Sequence, residues 1–460
     1  MPGLVARLGL VLTLLVGVLV PQAVHAGAPR PTAIRIGALV DQTGTSTSPL
    51  YRTAVELAVD QMNQALAAAH SAVTFQVAFG DTQSSPALAR SEAIRLINDE
   101  NVVGLISDSS GDTVAVNRLN YDPASPTSRK VPITCFQCSS GFINDPGVVE
   151  SDPLTQAAER DLDNWLFRIF YNANFEAAVQ VRIALGITNG GIGNGDGNLK
   201  IGILADGGHR SLATAIGTVL PSLYPGPSST EVVFNTNLAD LPADWARVVD
   251  GFNESTGQAD GVPDVVVMAM LPAGASAGIE AYRQAGYTIP IQSNNSFRRN
   301  YILAAVGSVA NGLEGSSVPL VAGGPSGADF VAAFQAFAGQ PPELTSSGAY
   351  DCAVTLMLSA LLAARDDPTQ VNPDRVRLGL TQINARLGEV IRPTVSDLTL
   401  AAGLIRQGRA VNYEGAFDPD DWNAVGDIFP PLVHWKVQNA AFVEFESFLC
   451  DPQHPLCPPV

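Results

Sequence analysis

Three short polar turns, each closing an apolar run, hold the side chains best placed to grip a small molecule in this 460-residue chain. They are residues 41–46, with Asp41 and Thr43; Asp108-Ser109-Ser110; and Gln137-Cys138-Ser139-Ser140. Hydroxyls and unpaired backbone N–H groups in such turns suit a carboxylate or another polar handle, held by hydrogen bonds. Nucleophilic chemistry has no comparable constellation. There is no Gly-x-Ser-x-Gly elbow and no His-Glu-x-x-His, and the five His are scattered. Cys135 and Cys138 form a C-x-x-C, but a reactive dithiol normally opens a helix whose dipole stabilises the thiolate. Here the turn formers Ser139-Ser140-Gly141 and Asp145-Pro146-Gly147 follow, so a disulfide or two inert thiols is expected. Zinc would need two more ligands, and no second Cys/His pair has metal spacing. Asp418-Pro419-Asp420-Asp421 lacks the Gly and distal Glu of a calcium loop, and residues 190–197 lack a Walker lysine. No catalytic residue, metal or cofactor is therefore expected.

The elements that must carry these turns alternate along the chain. Apolar runs at 33–40, 73–79, 102–106 and 131–134 read as strands; helical spacing of apolar residues marks 53–68 and 86–98. This order predicts a parallel sheet with helices on both faces. The pattern then restarts: helix 177–185, a Gly/Asn-rich loop at 186–198, strand 199–205, helix 211–220, strand 231–234, helix 245–252, strand 265–270, helix 275–285 and strand 289–292. Further helices are expected at 330–337 and 349–364, and a β-like end with a turn at 438–440 over 432–448. The fold class is thus α/β, with two doubly wound parallel-sheet units.

The ends and composition bound the setting. Arg7 is the only charge in the first 26 residues, an apolar run covers 8–20, and Val24-His25-Ala26 closes the segment. This is the pattern of a secretory signal peptide cut after Ala26, with the mature chain starting near Gly27. The run is shorter than the roughly 20 residues of a membrane span, no Cys follows it, and no later stretch is expected to span. Export to the periplasm or medium makes disulfides permissible; Cys450 and Cys457, bracketing a Pro-rich tail, are expected to pair, and Cys352 to be a buried free thiol. The net charge of −18 becomes more negative still on loss of Arg7. An acidic surface disfavours nucleic acid, which needs Lys and Arg against phosphate, and disfavours anionic lipid.

Several segments in order resemble type I periplasmic-binding proteins of the branched-chain amino-acid-binding family, the substrate-binding components of ABC importers. They are Ile34-Arg35-Ile36-Gly37-Ala38-Leu39-Val40-Asp41-Gln42-Thr43-Gly44, Glu56-Leu57-Ala58-Val59-Asp60-Gln61-Met62-Asn63, Phe79-Gly80-Asp81-Thr82, the Gly-then-Ser stretch 104–110, Phe167-Arg168-Ile169, Ala349-Tyr350-Asp351-Cys352-Ala353 and Asn412-Tyr413-Glu414-Gly415-Ala416-Phe417-Asp418. The resemblance implies two lobes joined by three crossings with the ligand between them. Lobe one would comprise 33–168 and 320–431, lobe two 169–319 and 432–448, and 449–460 a tail. It implies a monomer that captures a small solute and passes it to a membrane permease, without inserting in the membrane itself. A ligand-sensing receptor subunit is the alternative, and a thiol redox enzyme a third class. The implied ligand-binding residues are Thr43, Asp108, Ser109, Ser110, Cys138, Ser139, His209 and Asn295. Two of them depart from the amino-acid-binding pattern. Asp108 stands at or beside a carboxylate-binding Ser, and Asn295 near the acidic residue that pairs with a ligand amino group. A neutral, amide-bearing or less polar organic ligand fits as well.

Overall fold

Stretches rich in β-branched residues build two sheets. The computed structural model describes residues 31–44, 48–188, 198–253, 258–259, 261–321, 323–418 and 421–460. The expected signal segment, the insertion at 190–197, Ser46 and Pro419-Asp420 lie outside the described residues. The first sheet contains β1 (Thr32–Val40), β2 (Val73–Asp81), β3 (Leu105–Ser107), β4 (Ile133–Cys135) and β5 (Leu166–Arg168), all parallel, in the order β2-β1-β3-β4-β5. The second begins with β6 (Leu199–Asp206) and β7 (Ser228–Asn235). After a small antiparallel pair, β8 (Phe252–Asn253) and β9 (Gln258–Ala259), it continues with β10 (Val265–Ala269), β11 (Ile291–Ser293) and β12 (Glu314–Ser317). A short parallel pair, β13 (Glu389–Ile391) and β14 (Val411–Tyr413), stands apart, and β15 (Leu432–Gln438) and β16 (Ala441–Phe448) complete the second sheet. Its order is β16-β15-β12-β11-β10-β6-β7, with only β15 and β16 antiparallel to their neighbours. β1 and β10 are buried along most of their length because inner parallel strands are covered on both faces.

Strand order reverses once in each sheet, at β1/β3 and at β6/β10. Such switch points leave a crevice at the carboxyl ends of the strands. At the first, the Asp41 amide donates to Asp108 Oδ2 at 2.5 Å. At the second, the Leu271 amide donates to Asp206 Oδ2 at 2.6 Å. Both switch points are thus bridged by an Asp carboxylate accepting from the strand end across the gap.

The helix Pro49–Ala68 starts at a Ser48 cap with Pro49 in its first turn, and packs beside Ser346–Ala364. The latter is long and apolar enough to cross a membrane, contrary to the sequence expectation, yet 94% of its apolar window is buried in the core. Helices apolar all round belong in protein interiors as well as in lipid. Its one carboxylate, Asp351, accepts from Tyr413 Oη at 2.7 Å, the Ala416 amide at 2.9 Å and the Phe417 amide at 2.7 Å. The Tyr-Asp and Gly-then-Phe segments singled out in the sequence are therefore two halves of one buried lock. The helix Ser110–Tyr121 is absent from the sequence reading. Its Asp, Asn and Arg content weakens the apolar period, and its start rests on the Ser109 cap.

Chain passage from β5 toward the second sheet is fixed by Arg168, which is fully buried. Its guanidinium meets both Asp427 oxygens, Nε to Oδ1 at 3.0 Å and Nη2 to Oδ2 at 2.5 Å, and donates to the Cys138, Ser140 and Ile143 carbonyls. The same side chain thus anchors the crossing and the third polar turn. Disulfides join Cys135 to Cys138 and Cys450 to Cys457, and Cys352 is buried outside both disulfides.

Candidate ligand-binding cleft

A cleft of about 380 Å³ lies where the strand ends of the two sheets face each other. From the first sheet come Asp41, Asp108, Ser109, Ser110, Asp112, Gln137 and Ser139; from the second, His209, Leu271, Pro272, Asn294, Asn295, Ser296 and Arg299. Tyr51, Phe170 and Tyr171 supply aromatic walls. Volume and lining suit a small organic molecule with an apolar body and a few polar ends.

Six of the eight implied residues, Asp108, Ser109, Ser110, Ser139, His209 and Asn295, meet in this cleft. Thr43 and Cys138 do not line it. Thr43 turns toward the end of β2, where its hydroxyl donates to Asp81 Oδ2 at 2.6 Å. The tight turn leaves little choice: a Cβ on Gly44 would stand 2.4 Å from the Gln83 carbonyl carbon. Cys138 is fully buried beneath its loop, bonded to Cys135 and 2.9 Å from Thr113 Oγ1. Its neighbour Ser139 faces the cleft instead.

The first-sheet wall is acidic. Burial, with Asp112 beside it, holds the Asp108 carboxyl well above the usual range, and burial raises Asp112 as well. Burial and the neighbouring Asp112 and Asp41 all favour the protonated form of Asp108. The second Asp108 oxygen is enclosed without a protein donor. Ser109 caps the helix Ser110–Tyr121, accepting from the Asp112 amide at 3.2 Å, and Ser110 Oγ accepts from the Ser140 amide at 3.1 Å. Ser110 keeps a hydrogen to donate, whereas the Ser109 hydroxyl also serves the Asp112 carboxyl.

The second-sheet wall is cationic. His209 Nδ1 sits 2.8 Å from Asp206 Oδ1 and Nε2 3.2 Å from Ser296 Oγ. Burial alone would lower the imidazolium, but Asp206 and Glu176 outweigh it and raise His209. Burial likewise works against ionised Asp206, and His209 prevails, holding that carboxyl below its ordinary range. Glu176 accepts from Tyr171 Oη at 2.8 Å, the Asn295 amide at 3.0 Å and Ser316 Oγ at 3.0 Å. It therefore fixes the turn bearing Asn295, although burial pushes its own carboxyl up.

Sequence reasoning missed Tyr51, Tyr171, Glu176, Asp206 and Arg299. One clue was available for Glu176, an acidic residue inside the Ala- and Val-rich run 173–187, where burial demands partners. Arg210, next to His209 in sequence, lies over the Phe234 ring and is not among the lining residues.

Residues 33–128 match the family model described as periplasmic binding protein. No curated protein matches the chain in sequence. Among solved structures, a leucine-binding protein from Thermotoga maritima superposes with a TM-score of 0.65 at 14% identity, covering 91% of this chain and 99% of that one. The solute-binding protein of an ABC transporter from R. palustris, in complex with benzoate, gives a TM-score of 0.61 at 15% identity, covering 93% and 98%. Another from the same organism, in complex with 4-hydroxybenzoate, gives 0.61 at 16%, covering 92% and 98%. At these identities the likeness is one of fold, and the chain has the fold of type I periplasmic-binding proteins.

Proposed function

We propose that this protein is an extracytoplasmic solute-binding protein that captures a small organic molecule between its two lobes and delivers it to an ABC-type importer. The cleft carries the reading: strand-end turns from both sheets converge on one small, mixed polar and aromatic space. A site split between two sheets gives a ligand the means to hold them together, because only the closed arrangement offers both sets of contacts. In this reading residues 33–168 and 320–431 move as one lobe and 169–319 with 432–448 as the other. The protein acts without catalysis, as a monomer outside the cytoplasm. The fold relatives bound to benzoate and 4-hydroxybenzoate, and the leucine-binding protein, indicate the size and type of solute to try.

A thermal-shift screen of the mature protein against amino acids, aromatic acids, amides and amines tests this. A true ligand raises stability by about 2.7 kcal/mol at one hundred times its dissociation constant, and small-angle scattering records a smaller radius with it than without. A radius unchanged at saturation contradicts capture by closure.

A further inference from the structure

We infer that the solute is a carboxylate, and that Arg299 of the second sheet's wall, not the Ser turns of the first, receives it. This rests on the solute-capture reading and specifies its ligand class. Arg299 is 2% exposed and lines the cleft. Its Nη1 donates to the Asn295 and Arg298 carbonyls, at 3.2 and 3.3 Å. Among the described residues no carboxylate lies within ion-pair distance of it, whereas the other deeply buried arginines, Arg168 and Arg298, pair with Asp427 and Glu444. Glu343 acts on Arg299 only from beyond contact, and a buried guanidinium that no carboxylate touches is costly; its remaining donors form the planar fork that fits a carboxylate with two parallel hydrogen bonds.

The opposite wall excludes the reverse orientation. Asp41, Asp108 and Asp112 line the same wall as Ser109 and Ser110, so a ligand anion placed there meets carboxyl groups. The positive end of the helix Ser110–Tyr121 is already met by Asp112 in its first turn. His209, facing the cleft from the same sheet as Arg299, adds to the cationic side. Tyr51, Phe170 and Tyr171 leave the intervening space for an apolar, ring-sized or branched body.

The test compares acids with their neutral isosteres. The mature protein is titrated calorimetrically at pH 7 with benzoate, phenylacetate and 4-methylpentanoate, and with the matching amides and amines. At least one acid is expected to bind, with its amide weaker by roughly ten- to one-hundred-fold, the loss of a charge-assisted pair. Arg299→Met is expected to weaken the acid by the same factor and the amide by much less, so that the acid–amide difference closes, while Arg299→Lys recovers part of the loss. Circular dichroism checks that each variant is folded; if Arg299→Met is not, the wild-type acid–amide comparison and Arg299→Lys decide. Equal affinity for acid and amide, or acid binding untouched in both variants, overturns the assignment. Binding of an amide or amine but of no acid overturns it too, while leaving solute capture intact. Failure of all three classes counts against both.

Discussion

Replacing Arg168 with Met should destabilise the protein by about 3–5 kcal/mol, because it strands a buried carboxylate. The substitution keeps an unbranched side chain of similar length, so little cavity forms. What disappears is five hydrogen bonds: two to Asp427 and one each to the Cys138, Ser140 and Ile143 carbonyls. Asp427 would keep the Asn144 side-chain amide, at 2.7 Å, and the ion would otherwise lack compensation. The expected loss lies toward the upper end of the range, since three carbonyls lose a cationic donor together. It is also a large part of the roughly 5–15 kcal/mol that keeps a domain folded. Urea denaturation followed by far-ultraviolet circular dichroism measures it. The double variant Arg168→Met/Asp427→Leu should recover most of the loss, because it removes the orphaned charge as well. A loss below about 1 kcal/mol in the single variant would refute the claim that this pair locks the crossing. A double variant no better than the single would show instead that the carbonyl contacts dominate.

Other outcomes follow from the same geometry. Ser109→Ala should cost about 1 kcal/mol of stability through the lost helix cap, whereas Ser139→Ala should leave stability unchanged; paired melts distinguish them, and equal losses would argue against the cap. Burial pushes Asp351 and Asp418 up to about 7, so the folded state holds protons that the unfolded state has released above about pH 4. Their stabilisation is therefore complete in acid and declines as pH rises toward 7, by up to about 1.4 kcal/mol per pH unit for each group; urea titrations at pH 5.5 and 7.5 should show the greater stability at 5.5. N-terminal sequencing of protein recovered from the exporting cell should begin at or near Gly27, and retention of the apolar run in a membrane fraction would contradict cleavage.

The sheet-and-helix alternation was legible because period-2 and period-3.6 apolar patterns survive wherever one face is buried. It says less where burial is total, and it failed where the pattern is weak. The run 346–364 is apolar on every side, so its sequence cannot separate a membrane span from a core helix; only its packing against Pro49–Ala68 does. The helix Ser110–Tyr121 shows little pattern, and a local cap rather than periodicity starts it. In the cleft, the Ser and Asp turns could be read because they follow their strands directly. Thr43 and Cys138 sit in the same turns yet face away, since one residue of displacement along a turn redirects the side chain. Arg299 escaped because its meaning lies in what it lacks: a counter-ion cannot be seen to be missing until every neighbour is placed.

The two switch points show how one device yields opposite chemistry. Asp108 and Asp206 each bridge a strand reversal by accepting a backbone amide from across the gap. Beside Asp108 stand Asp41 and Asp112, so burial dominates and the carboxyl is held well above its usual range. Beside Asp206 stands His209, so each favours the charged form of the other: the carboxyl is held below its ordinary range and the imidazolium above its own. The backbone requirement is the same at both places, and the neighbour decides the sign of the wall. In the proposed solute-capture reading, a ligand between them meets carboxyl groups on one side and His209 and Arg299 on the other, which favours one orientation. On this argument specificity resides less in the Ser-rich turns than in the residue next to each bridging Asp, and exchanging those neighbours should change which end of a ligand each lobe accepts.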